Sequence, residues 1–150
     1  MYTIEEFDEQ KTKVMKYIVF KKRTEYEVRT KFTNVIQEDL LEDIIEYLKE
    51  AKYIDDKEYI EKVVNNFMQL KNLSLKELKY KLISKGLNKN DIEDYFYENR
   101  DELYEYELKS ALNIIYKKKN LEETEIKQFL QKKGYMLDNI NLAIEKSNKF

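Results

Sequence analysis

The chain predicts an all-α fold, with three tandem three-helix repeats stacked into an elongated curved rod. Three observations predict it. Apolar residues recur at helical spacing along nearly the whole length. There is no proline to interrupt a helix. The only two glycines, Gly86 and Gly134, lie in matching contexts: each follows a lysine (Lys85, Lys133), ends an amphipathic stretch and precedes a large apolar residue (Leu87, Tyr135).

The glycine contexts belong to a longer internal match. Sliding the sequence by about 48 positions brings Lys71-Asn72-Leu73 onto Lys119-Asn120-Leu121 and Glu77-Leu78-Lys79 onto Glu125-Ile126-Lys127. It also brings Leu82 onto Leu130, Ile92 onto Ile140 and Phe96 onto Ile144. An upstream copy aligns Thr24 with Ser74, Glu27 with Glu77, Arg29 with Lys79 and Phe32 with Leu82. Beyond that point Leu41 pairs with Ile92 and Ile45 with Phe96, so this first copy is one residue shorter and has no glycine. The expected repeats are 10–50, 57–98 and 104–148, within a single array spanning 1–150.

The elements follow in order. Helices are expected near 4–21, 25–34, 38–50, 57–70, 75–84, 89–98, 101–118, 122–132 and 139–147. Thr3 with Glu6, Thr24 with Glu27 and Ser74 with Glu77 have capping-box spacing, in which a hydroxyl and a carboxylate satisfy orphan backbone amides. Asn88 and Asp138 are further N-cap candidates. Gly86 and Gly134 suit the left-handed residue just past a helix end, with Lys85 and Lys133 at the negative helix terminus. A unit of about 40 residues buries too little surface to be very stable alone, so stacking completes the core.

Composition excludes several function classes. There are no cysteines, hence no disulfides, thiolate chemistry or Cys-based metal sites. There are no histidines, which removes the commonest general base and transition-metal ligand. No apolar run reaches the length that crosses a bilayer, and the N-terminus has no signal-like pattern. A cytoplasmic, monomeric protein with no membrane partner is expected.

The net charge is only −2, but it alternates along the chain. Residues 11–35 hold eight Lys or Arg against two Glu, and 36–62 hold four Lys against ten acids. Residues 63–90 hold six Lys against one Glu; 91–107 hold one Arg against eight acids. Residues 109–133 return to seven Lys against three Glu. If equivalent helices line up, one edge is basic and the other acidic. Lys21, Lys71 and Lys119 are repeat-equivalent, as are Arg29, Lys79 and Lys127; with Lys22 and Arg23 they are the candidate contacts for a polyanion or a charged filament. Against this stands the plainer reading that each lysine sits on a solvated helix face.

No catalytic, cofactor or metal constellation emerges, so no enzymatic activity is expected. Asp55-Asp56 is a carboxylate pair, but one of the two more simply caps the following helix. Lys117-Lys118-Lys119 reads as a helix C-terminus. Tyr95, Tyr97, Tyr104 and Tyr106 offer stacking surface or core.

The linker Lys52-Tyr53-Ile54-Asp55-Asp56-Lys57-Glu58-Tyr59, followed by Ser74-Leu75-Lys76-Glu77-Leu78 and then Leu82-Ile83-Ser84-Lys85-Gly86-Leu87, resembles the RecX family. Thr24-Glu25-Tyr26-Glu27-Val28 is similar to the first copy of the second motif, and Leu130-Gln131-Lys132-Lys133-Gly134-Tyr135 to the third copy of the last. The order and spacing of these elements cover nearly the whole chain. Two departures stand out: Ala51-Lys52 replaces the Leu-Gly of the family pattern, and arginines number only three. Lysine keeps the charge without the bidentate fork.

The resemblance implies a negative regulator of the RecA recombinase, with a place in DNA repair, homologous recombination and the SOS response. It implies binding in the groove of the RecA–DNA filament and inhibition of ATPase, strand-exchange and coprotease activities. DNA would be met weakly or through the filament. Two rivals remain. One is a stand-alone helical DNA-binding protein, which the near-neutral charge disfavours. The other is a carboxylate-dependent metal enzyme built on Asp55 and Asp56.

Overall fold

A computed structural model describes residues 1–150, which form nine α-helices and no strand. The helices are α1 (Ile4–Phe20), α2 (Glu25–Phe32), α3 (Glu38–Glu50), α4 (Asp56–Met68), α5 (Leu75–Ser84), α6 (Lys89–Glu98), α7 (Arg100–Lys117), α8 (Glu123–Lys133) and α9 (Leu137–Ser147).

Local chemistry sets the helix starts. Thr24 and Ser74 form complete capping boxes with Glu27 and Glu77. Thr3 caps only one way: its side chain accepts from the Glu6 amide, with no return bond from Glu6. Asn88 accepts from the amides of Asn90 and Asp91. Asp55 caps α4, accepting from the Glu58 amide at 3.2 Å. Asp138 is not an N-cap, contrary to expectation. It lies inside the first turn of α9, whose N-cap position is Met136. The Met136 amide is satisfied from another helix, by Glu107, so the helix begins before Asp138 without a local cap.

Three helices end in the same hydrogen-bonded turn. Tyr53, Leu87 and Tyr135 donate back to Leu48, Leu82 and Leu130, closing six-residue turns. The residue before each is left-handed: Lys52 at φ 66°, Gly86 at 80° and Gly134 at 94°. These are Schellman motifs, which favour glycine at that position. Lys52 occupies it at a steric cost.

The core falls into three clusters in chain order. The first joins Val14 and Ile18 of α1, Val28 and Phe32 of α2 and the α3 stripe Leu40, Leu41, Ile44, Ile45 and Leu48. The second draws on α4, α5 and α6 and takes Leu103 and Tyr106 from α7. The third packs α7, α8 and α9 around Ile115, Ile126, Leu130 and Ile140. Each cluster thus belongs to one triplet of helices, and α7 serves two.

The joints between triplets use the glycine turns. Thr24 and Ser74 are fully buried, and beyond capping their own helices each reaches the following triplet. Thr24 Oγ1 donates to the Lys85 carbonyl at 3.4 Å, and Ser74 Oγ to the Lys133 carbonyl at 2.6 Å. Next to those carbonyls, Gly86 lies under the Tyr26 ring and Gly134 under the Lys76 stem. A Cβ on Gly86 would come within 2.2 Å of Tyr26 Cγ, and one on Gly134 within 2.9 Å of Lys76 Cβ. Both glycines therefore do more than stop a helix; they let the preceding triplet approach. In the first triplet the turn at residues 33–36, after α2, has neither glycine nor positive φ.

An acid completes each joint, half-buried Asp56 at the first and fully buried Glu107 at the second. Asp56 Oδ1 accepts from the Glu25 amide at the start of α2, at 3.0 Å. Glu107 Oε2 accepts from the Leu75 amide at the start of α5, at 2.8 Å. Carboxylates at helix N-termini satisfy orphan donors and meet the positive end of the helix dipole.

Candidate polyanion interface

The candidate cations divide according to whether the fold already uses them. Arg29 projects from α2 between two acids. Its Nε donates to Glu25 Oε2 at 2.9 Å, and its two terminal nitrogens donate to both oxygens of Glu42 at 2.7 and 2.8 Å. The Glu42 hydrogen bonds push the guanidinium pKa up against a smaller desolvation effect, and Glu25 adds to the rise. Lys79, its counterpart on α5, donates to Glu93 at 3.2 Å and lies 4.9 Å from the Phe96 ring. These two side chains clamp the second helix of a triplet to the third. In the last triplet the matching acid is replaced by Asn141, and Lys127 has no carboxylate within ion-pair distance.

The remaining candidates differ among themselves. Arg23 stacks over Tyr17 at 4.0 Å and pairs with Glu27 at 3.8 Å. Lys22 pairs with Glu58, which also holds Lys62. Lys21, Lys71 and Lys119 are exposed, follow α1, α4 and α7, and make no ion pair. The Lys71 backbone is left-handed at φ 49°, and Asn113 donates to its carbonyl at 3.0 Å, tying this turn to α7. Of the two equivalent sets, then, Lys21, Lys71 and Lys119 are free to meet an external anion, whereas Arg29 and Lys79 are committed internally.

Asp55 and Asp56 are both occupied as caps, on α4 and α2 respectively. Burial pushes the Asp56 pKa up, the Glu25 amide pulls it down, and the charges of Glu25 and Asp91 raise it further. Glu107 is fully buried and takes three bonds: from the Leu75 amide, from the Met136 amide at 3.0 Å and from Asn139 Nδ2 at 2.8 Å. The four tyrosines separate, with Tyr95 partly buried against the second core cluster. Tyr106 is core, its hydroxyl accepting from the Leu73 amide at 3.2 Å, whereas Tyr97 and Tyr104 are exposed.

Charge alternation did not single out one basic cleft. Between α5 and α8 a space of about 370 Å³ is lined by Lys76, Tyr80, Lys81, Lys132 and Lys133, with Glu77 as its single acid. Glu77 is spent on the Ser74 amide and faces Lys133 at 3.9 Å. Tyr80 is 72% exposed. The signal was present as lysines on two second helices. Their convergence depends on how α5 and α8 pack, which sequence spacing does not encode.

No protein-family model matches the chain. A regulatory protein RecX from Finegoldia magna is 30% identical over 148 residues, covering 92% of this chain and 71% of the relative. One from Clostridium perfringens is 29% identical, covering 95% and 70%. A longer one from Staphylococcus carnosus is 30% identical over 137 residues; the chain spans about half of it, 51%. The crystal structure of RecX from Lactobacillus salivarius superposes with a TM-score of 0.81 at 25% identity, over 99% of this chain and all of that one. No helix here is long and apolar enough to cross a membrane.

Proposed function

Because the chain belongs to the RecX family, we propose that it is a negative regulator of RecA that binds along the RecA–DNA filament and lowers its ATPase, strand-exchange and coprotease activities. The relatives are regulatory proteins by name, and RecA is the target that the motif resemblance implies. The observation that carries the reading is the repeated joint. The Thr24–Lys85 and Ser74–Lys133 contacts link successive triplets, while Lys21, Lys71 and Lys119 stay free on turns that follow equivalent helices. A binder with one cation-bearing turn per triplet suits a partner that itself repeats, because each later contact gains from effective concentration. The groove-bound chain would occlude the filament, its cations facing phosphates and acidic protomer surface. Asp55 and Asp56 act as helix caps in this reading, not as a metal centre.

The test is co-sedimentation with RecA assembled on single-stranded DNA with a non-hydrolysable nucleotide. The chain should pellet with the filament, more strongly than with free RecA or bare DNA, and Lys21→Gln/Lys71→Gln/Lys119→Gln should weaken retention. Equal retention by bare DNA would favour the stand-alone DNA-binding reading.

A further inference from the structure

We infer that the cleft between α5 and α8 is a binding site for single-stranded nucleic acid, with backbone phosphates on its lysines and one base stacked on Tyr80. It deepens the filament reading and rests on it only for the setting in which such a strand is met.

The charge of the cleft is largely uncompensated. Four lysines line it against one acid, and Glu77 is already engaged by the Ser74 amide and Lys133. Lys76, Lys81 and Lys132 have no carboxylate within ion-pair distance, unlike Arg29 or Lys79. The Lys76 stem passes over Gly134 at the edge of the cleft. Such a set, with little internal neutralisation, attracts a polyanion and releases its counterions.

Charge alone does not choose the partner; Tyr80 does. Tyr80 is 72% exposed among the cleft lysines, where an aromatic gains little from burial. The equivalent positions in the other triplets are Thr30 and Gln128, so the aromatic is peculiar to the middle triplet and is no requirement of the helix frame. A base needs a flat apolar face of this kind, and it presents its own face only when unstacked from a duplex. Beside the cleft, Gln128 and Gln131 adjoin Lys132 in a shallow depression. Their amides supply both donors and acceptors for a base edge. An acidic protein segment would use the lysines but has no need of the exposed ring or the amides.

The test measures binding of the full chain to a short fluorescent oligothymidylate at low salt, by anisotropy, with no RecA present. An abasic oligomer of the same length and polyglutamate serve as comparison ligands. Tyr80→Ala should weaken oligothymidylate binding roughly five- to hundredfold, Tyr80→Phe should leave it unchanged, and both should keep native helix content. Lys81→Gln/Lys132→Gln should reduce the slope of log affinity against log salt by about 1.4, while Lys13→Gln/Lys16→Gln on α1 should leave the slope unchanged. The inference is overturned if oligothymidylate does not bind, if the abasic oligomer or Tyr80→Ala binds as well as the reference pair, or if polyglutamate binds equally tightly. This outcome is separable from the regulator reading. RecA inhibition with no free-strand binding removes only the cleft assignment; strand binding with no effect on RecA removes only the regulator.

Discussion

The Ser74 hydroxyl donates to the Lys133 carbonyl at 2.6 Å across 59 residues of sequence, beside a glycine whose Cα is covered by Lys76. The same pair of features recurs with Thr24, Lys85, Gly86 and Tyr26. One residue type thus has two simultaneous reasons at each joint: a left-handed backbone, and a close approach by the preceding triplet.

Replacing either glycine tests that dual role. The left-handed backbone alone costs an alanine about 1–2 kcal/mol. Gly86→Ala also forces its Cβ to within 2.5 Å of Tyr26 Cβ, an atom that no rotamer change moves. Gly86→Ala should therefore cost more than Gly134→Ala in urea unfolding. Combining it with Tyr26→Gly should recover part of the loss in a double-mutant cycle. Strict additivity would show that the ring contact contributes nothing.

Lys52 holds the same left-handed position without being glycine, at φ 66°. Lys52→Gly should stabilise the chain by about 0.5–1 kcal/mol, the strain relieved less the added freedom of the unfolded chain. A lower melting temperature for this variant would mean that the lysine side chain holds the turn by other contacts.

Glu107 is the acid on which the second joint depends. Its three donors are two backbone amides and Asn139. Glu107→Gln presents an amide group where acceptors are needed, leaving at least one buried donor unmatched at about 1–3 kcal/mol. Chemical denaturation should show that loss, with helix content retained below the transition. A neutral substitution would contradict the capping role.

Asp56 should give the opposite sign. Burial, Glu25 and Asp91 raise its folded pKa above the unfolded value, with the Glu25 amide partly offsetting them. The folded state then binds more protons than the unfolded state between the ordinary Asp pKa and the raised one. Stability is lost as pH rises through that window. Asp56→Asn keeps an acceptor for the Glu25 amide and removes the charge. Its stability relative to wild type should increase between pH 4 and neutrality, read by thermal melts across that range. A relative stability that falls with pH would show that the carboxylate is held for its charge.

Arg29 and the free lysines should separate stability from function. Arg29→Gln breaks the two-pronged contact with Glu42 and should cost about 0.5–1 kcal/mol while leaving RecA inhibition intact. Lys21→Gln/Lys71→Gln/Lys119→Gln should do the reverse. Loss of inhibition on Arg29→Gln without loss of stability would return Arg29 to the interface.

Much of this was legible in the sequence. The capping boxes at Thr24 and Ser74 and the apolar residues at helical spacing gave helix positions directly, because their determinants lie within one or two turns. What was hidden depends on contacts between distant segments. Gly86 read as a helix stop, since nothing local reports the Tyr26 ring above it. Glu107 was one of eight acids in its stretch, indistinguishable from a solvated one until α5 and α9 aim their amides at it. Arg29 and Lys79 read as part of a basic edge. Their clamps were nonetheless readable, because Glu42 and Glu93 follow them by about the same interval and the third copy has Asn141 there.

Regulation of RecA is read most directly from RecA ATPase on single-stranded DNA, with this chain titrated at low and moderate salt. Inhibition should weaken as salt rises, because charged contacts between exposed groups are screened, and should weaken further in Lys21→Gln/Lys71→Gln/Lys119→Gln. Full ATPase activity at saturating chain, or inhibition indifferent to salt and to those three lysines, would contradict it.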